Sequence, residues 1–124
     1  GLIHGDIIPD NIFNYKNKFN GIIDFYFSFY GSYVYEIAIA VNSMCFTKGY
    51  FDDKKYNFFI KGYQSIRNLS KLELNSLPIM CLGASIRFYV TRLYDLKFTP
   101  KNAKVKRKDP NEYLYKMRYF YTKL

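Results

Sequence analysis

The rhythm of hydrophobic and polar positions changes once along the chain, at Gly31. Before it, Asn11 to Asn14 and Gly21 to Phe25 are short β-rich runs separated by the polar stretch Tyr15 to Asn20. That spacing predicts a hairpin with a loop longer than the tightest type. After it the period is helical: Val34, Ile37, Ala38, Val41 and Cys45 share one face of a helix that Ser32 would cap. Tyr56, Phe59, Ile60, Tyr63 and Ile66 mark a second amphipathic helix starting near Asp52 or Asp53. Ser70-Lys71-Leu72-Glu73 is a capping box, with Leu69 and Leu74 as its hydrophobic staple. The helix it opens is expected to be short, because Pro78 has no N–H to donate. Pro78 is then placed in the first turn of a new helix carrying Ile79, Leu82, Ile86, Val90 and Leu93. Asp109-Pro110-Asn111-Glu112 reads as another helix start, leading through Tyr113, Met117 and Phe120. The expected architecture is α+β: a hairpin region over residues 1–30, then about five helices over residues 31–124.

Composition changes this picture little. The 124 residues are 49% hydrophobic and 23% charged, as in a folded domain with one core. The most apolar stretch, Ile79 to Ile86, stops at Arg87, far short of the roughly 20 residues that span a bilayer. Cys45 and Cys81 are too few for a disulfide scaffold, lack metal-site spacing, and read as buried thiols of a reducing cytoplasm. Secreted miniprotein, zinc finger and membrane span are all disfavoured.

The net charge of +9 first suggests a polyanionic partner. However, Lys, Asn, Ile, Phe and Tyr make up half the chain, and Trp is absent. All five have A/T-rich codons, so coding bias explains both the charge and the aromatic content. The basic loop with Lys101, Lys104, Lys106, Arg107 and Lys108 reads as a solvated run, since no nucleic-acid-binding motif accompanies it.

The chemistry is concentrated in His4-Gly5-Asp6-Ile7-Ile8-Pro9-Asp10-Asn11 and in Gly21-Ile22-Ile23-Asp24-Phe25. A hairpin sets the end of its second strand opposite the start of its first, so Asn11 and Asp24 are expected to converge. Their oxygens are hard donors suited to Mg²⁺. Asp6, just ahead of them, is placed to accept a proton from an attacking hydroxyl, the arrangement used in phosphoryl transfer. By contrast, His4 alone is more often a hydrogen-bonded structural residue, Asp10 a turn residue, and Arg92 with Asp95 a surface pair.

The pattern H-x-D-x-x-x-x-N followed by I-D-F resembles the kinase catalytic loop and its metal-binding Asp. Gly5 stands where protein kinases place Arg, and Tyr26 where they place the DFG glycine, which points to the aminoglycoside phosphotransferase and choline kinase group. Within it, HGDIIPDNIF, GIIDFYFSFYGSYVYEIAIAVNSMCF, GYQSIRNLSKLELNSLP, RFYVTRLYD and KDPNEYLYKMRYF together resemble the bacterial homoserine kinase family. The resemblance implies the C-terminal lobe of a protein-kinase-like fold, with the N-terminal ATP-binding lobe lying outside this chain and the fragment alone inactive. It implies Asp6 as catalytic base, His4 as brace of the catalytic loop, and Asn11 and Asp24 as holders of Mg²⁺ and ATP. Glu36 stands where the family usually has Asp, supporting the loop, and Arg87, Arg92, Tyr94 and Asp95 are candidate substrate contacts. The implied reaction is transfer of the ATP γ-phosphoryl group to L-homoserine, in cytoplasmic threonine biosynthesis, with no nucleic-acid or membrane partner. The alternatives are a related kinase for choline, an aminoglycoside or another metabolite, or a catalytically inactive helical remnant or basic binding module.

Overall fold

A computed structural model of the chain describes residues 1–100 and 107–124. Lys101, Lys104 and Lys106 of the basic loop therefore lie outside the described residues. The described chain is mainly helical, with three small antiparallel sheets, which makes it α+β.

Strand β1 (Leu2–Ile3) pairs with β4 (Phe29–Tyr30), and β2 (Ile12–Tyr15) pairs with β3 (Lys18–Ile22). The β2–β3 turn is tighter than expected. Lys16 and Asn17 alone form it, both at positive φ, 50° and 59°, as a type I′ turn requires. The register shifts after Phe13, so the pairing steps from Phe13↔Gly21 to Asn14↔Phe19 and leaves Asn20 as the extra residue of a bulge. A third hairpin, β5 (Phe46–Thr47) and β6 (Tyr50–Phe51), follows the first helix.

Helix α1 (Tyr33–Met44) buries Val34, Ile37, Ala38 and Val41 as its period predicts, with Cys45 at its C-terminus. It also buries Ile39, Ala40 and Asn42, because Ile7 and Ile8 and the later helices pack around it. Ser32 occupies the N-cap position but makes no side-chain cap bond. Helix α2 (Asp53–Gln64) is capped by the Asp52 carboxylate, which accepts the Lys55 N–H at 3.1 Å. It ends before Ile66, which is exposed.

The largest departure is α3 (Lys71–Phe98), a single 28-residue helix with Pro78 inside it. The capping box at Ser70 and Glu73 is present, and Leu69 is buried while Leu74 stays exposed. Proline costs one intrahelical hydrogen bond, and packing against α1 and α4 (Asn111–Tyr121) offsets it. The described α-helices therefore number four, where about five helices were expected. The buried face of α3 also differs from the predicted one. Ile79, Ile86, Val90 and Leu93 are exposed, while Leu77, Cys81, Ala84, Ser85 and Phe88 face the core. Small side chains at positions 81, 84 and 85 let α3 approach α1 closely, which bulky aliphatics would prevent. The Asn42 amide donates to the Cys81 carbonyl across this contact at 2.8 Å.

Helix α4 starts one residue later than the Asp-Pro signal suggested, with Asp109 Oδ1 accepting the Asn111 N–H at 2.9 Å. Tyr113 and Phe120 close the core, Phe120 meeting Phe46 and Phe51 edge-on. Both cysteines are free, buried thiols, and burial pushes Cys45 up to about 11 and Cys81 further up. Among the described residues, no helix is long and apolar enough to cross a membrane.

Candidate active site

The loop after β1 is held from three sides. From α1, Glu36 accepts the backbone N–H of His4 at 3.0 Å on Oε1 and that of Gly5 at 2.9 Å on Oε2. The Glu36 carboxylate thus reaches two consecutive loop amides. From within the loop, His4 Nδ1 accepts the Asp6 N–H at 3.2 Å, which makes Nε2 the protonated nitrogen that donates to the Ile23 carbonyl at 2.9 Å. Both ring nitrogens are engaged by backbone, and the ring packs on Phe25 at 4.5 Å. From α3, Arg87 donates to the Gly5 carbonyl. Gly5 itself sits at φ +76°, and a Cβ there would lie 2.4 Å from the Phe27 carbonyl oxygen. The position where protein kinases carry Arg is closed to any side chain in this loop.

Asp6 emerges from this brace held at both carboxylate oxygens. The Asn11 amide donates to its backbone oxygen at 2.9 Å and to its Oδ2 at 3.1 Å, while Arg87 forms an ion pair with its Oδ1 at 3.5 Å. Asn11 is buried and spends its NH₂ group on Asp6, so its amide oxygen is not needed for that contact. Ile12 pairs with Ile22, and the Ile23 N–H donates to the Asn11 carbonyl at 3.0 Å. This carries Asp24 to the same end of the hairpin as Asn11. Asp24 adopts a left-handed backbone, φ 67° and ψ 60°, which Asp tolerates better than most residues. The hairpin thus sets Asn11 and Asp24 at one end, and Asn11 holds Asp6 just ahead of them. An amide oxygen and a carboxylate at one hairpin end are hard donors that fit a hydrated Mg²⁺.

Asp6 and Asp24 line a cavity of about 760 Å³, and so do Arg87, Arg92 and Asp95 from α3. Tyr94 does not line it; its ring lies against Phe98 at 4.5 Å. The expected surface pair of Arg92 with Asp95 is not among the ion pairs of the described residues. Arg92 instead reaches α4, donating to Glu112 at 2.7 Å and to the Asp109 carbonyl at 2.8 Å. Asp10 pairs with Lys108 at the cavity rim.

Sequence reasoning missed the α4 wall of this cavity, where Glu112 and Tyr113 face Arg92. Behind them Lys116, only 2% exposed, donates to the second oxygen of Glu112. The Glu112–Lys116 spacing of four was the available signal. Burial opposes ionisation of Glu112, but the hydrogen bonds from Lys116 and Arg92 outweigh it and hold its carboxyl below the ordinary value. Burial lowers Lys116, with Glu112 working against that shift, and pushes the Tyr113 hydroxyl well up.

The family model described as "Phosphotransferase enzyme family" matches residues 1–69, the braced loop, the hairpin and the first two helices. The chain belongs to the phosphotransferase enzyme family. Relatives similar to it include proteins named homoserine kinase from Rhizobium johnstonii, Acidiphilium cryptum and Sinorhizobium medicae, at 43%, 44% and 45% identity over 120 residues. The match takes in 96% of this chain but 37% to 38% of the length of those relatives.

Proposed function

We propose that this chain is the C-terminal, catalytic-loop-bearing lobe of an ATP-dependent kinase that phosphorylates the hydroxyl of L-homoserine. Residues 1–30 form the catalytic loop and hairpin of that lobe, residues 31–124 its helical subdomain, and the ATP-binding lobe precedes them in the parent protein. The observation that carries the reading is Asp6, fixed between the Asn11 amide and the Arg87 guanidinium at the wall of a cavity that also receives Asp24. On this reading Asp6 accepts the proton of the acceptor hydroxyl as the hydroxyl oxygen bonds to the γ-phosphorus of ATP, whose bond to the β,γ-bridging oxygen breaks to release ADP. Asn11 and Asp24 hold Mg²⁺, which neutralises charge on the ATP phosphates when bound. His4 and Glu36 are positioning residues: they fix the loop and move no proton. The homoserine kinase name of relatives above 40% identity supports the acceptor. The enzyme would serve threonine biosynthesis in the cytoplasm, where the free thiols of Cys45 and Cys81 stay reduced.

The test is phosphorylation of L-homoserine by the intact protein with Mg·ATP. Asp6→Asn is expected to lower kcat by at least about a hundredfold, the range of general-base contributions. Unchanged turnover in that variant removes Asp6 from the role.

A further inference from the structure

Helices α3 and α4 meet at the cavity through one carboxylate shared by two cations. Glu112 accepts Arg92 on Oε2 and Lys116 on Oε1. The Tyr113 ring lies beneath both cations, 4.4 Å from the Arg92 guanidinium and 4.3 Å from the Lys116 ammonium. Tyr113 in turn stacks on Phe88, with centroids 4.9 Å apart and planes 10° from parallel. The three charged groups leave one net positive charge at the cavity wall. Among the described residues, both hydrogen bonds of Arg92 leave from Nη1, and neither uses its Nη2 or Nε donors. The Arg92 side chain is 12% exposed and lines the same cavity as Asp6. A buried lysine is costly unless it does something its neighbours need. Here it satisfies the second oxygen of Glu112, so that this carboxylate neither repels an incoming anion nor swings away from Arg92.

We infer that the Arg92–Glu112–Lys116 triad is a carboxylate subsite: Arg92 binds the α-carboxylate of an amino-acid acceptor, and Lys116 positions Arg92 through Glu112. The inference rests on the proposed acceptor and deepens it, since choline and aminoglycosides carry no carboxylate for this wall to bind. The guanidinium offers two parallel donors to a planar carboxylate, a geometry that lysine cannot reproduce.

The test compares two acceptors in the intact kinase with Mg·ATP. L-Homoserine is one; 3-aminopropan-1-ol, which keeps the hydroxyl and the amine but lacks the carboxylate, is the other. Arg92→Gln is expected to raise KM for homoserine about 10- to 100-fold more than KM for 3-aminopropan-1-ol, the worth of a charge-assisted hydrogen bond. Lys116→Met, which fills similar volume without charge, is expected to shift the same ratio about threefold to tenfold, with kcat for homoserine changed less than KM. Equal effects on the two acceptors, or a fall in kcat alone, would mean a structural role and would overturn the subsite. A rise in KM for ATP in place of homoserine would assign the triad to nucleotide phosphate, and would overturn it too. If the wild-type kinase turns over 3-aminopropan-1-ol as well as homoserine, the subsite fails while the phosphotransferase reading stands. If it phosphorylates neither, the acceptor reading fails and the subsite with it.

Discussion

Glu36 stands 31 residues beyond Gly5, yet its Oε2 accepts the Gly5 backbone N–H at 2.9 Å while Oε1 takes the neighbouring His4 N–H. One carboxylate from the first turn of α1 therefore satisfies two consecutive amides of the loop that carries Asp6. Glu36→Ala leaves both donors without an acceptor in a partly buried site, and is expected to cost about 2–4 kcal/mol in chemical denaturation. Glu36→Gln retains one acceptor oxygen and turns its NH₂ toward the other amide, so its loss should fall between wild type and alanine. Glu36→Asp would need the loop to move toward α1. It should lose less stability than alanine, with kcat of the proposed kinase reduced because Asp6 moves with the loop. An alanine variant as stable as wild type would show that the loop does not depend on this brace.

Gly5 is closed to side chains by its backbone and by its surroundings. Its φ of +76° lies in the left-handed region, and an added Cβ would meet the Phe27 carbonyl oxygen at 2.4 Å. The backbone term alone costs about 1–2 kcal/mol for a non-glycine residue. The clash falls on main chain, which cannot rotate aside. Gly5→Ala is therefore expected to lower the denaturation midpoint by more than that term predicts, with an unchanged slope on denaturant. A midpoint within error of wild type would mean that the loop adopts another conformation.

How much of this was legible in the sequence follows from the range of the forces involved. Local signals were readable: the Ser70–Glu73 capping box, the helix start at Asp52 or Asp53, the periodicity of α1, and the hairpin that brings Asn11 and Asp24 to one end all depend on residues within one or two turns. Pro78 was misread because a proline penalty is local, whereas the contacts that overcome it come from α1 and α4. The buried face of α3 was misread for a related reason. Periodicity ranks residues by hydrophobicity, but the contact with α1 selected small side chains at 81, 84 and 85 and left Ile79, Ile86 and Val90 exposed. In the candidate site, Asp6, Asn11 and Asp24 sit on one supersecondary unit, so their placement at one hairpin end was readable locally. The Glu112–Lys116 pair joins the cavity only through the packing of α4 on α3, and nothing in residues 109–116 announces that neighbour.

Pro78 gives that misreading a direct test. At the eighth position of α3 it cannot donate to the Leu74 carbonyl, and its ring crowds the preceding turn. Pro78→Ala restores the donor and improves helix propensity, so the protein is expected to gain about 1–3 kcal/mol in chemical denaturation. Loss of stability would mean that the proline ring fills a place in the helix contacts that alanine leaves empty.

The start of α3 also sets an acid limit on stability. Glu73 accepts the Ser70 backbone N–H at 2.9 Å, the Arg67 guanidinium at 2.5 Å and the Ser70 hydroxyl at 3.0 Å. The backbone bond from Ser70 is the largest of these influences, followed by Arg67, and together they hold the carboxyl down at about 2 from an ordinary 4.5. The folded state therefore binds this proton less readily than the unfolded state does. The stabilising contribution is complete above pH 4.5 and is lost as pH falls from there toward 2. Glu73→Gln removes the carboxylate at every pH. The difference in stability between wild type and this variant should be constant near neutrality and shrink progressively as pH is lowered through that window. Because the pair is partly exposed, the part owed to Arg67 should weaken in high salt, while the part owed to the Ser70 backbone bond should persist. A difference that stays level from pH 7 down to 2.5 would remove the capping carboxylate from the acid sensitivity of this helix.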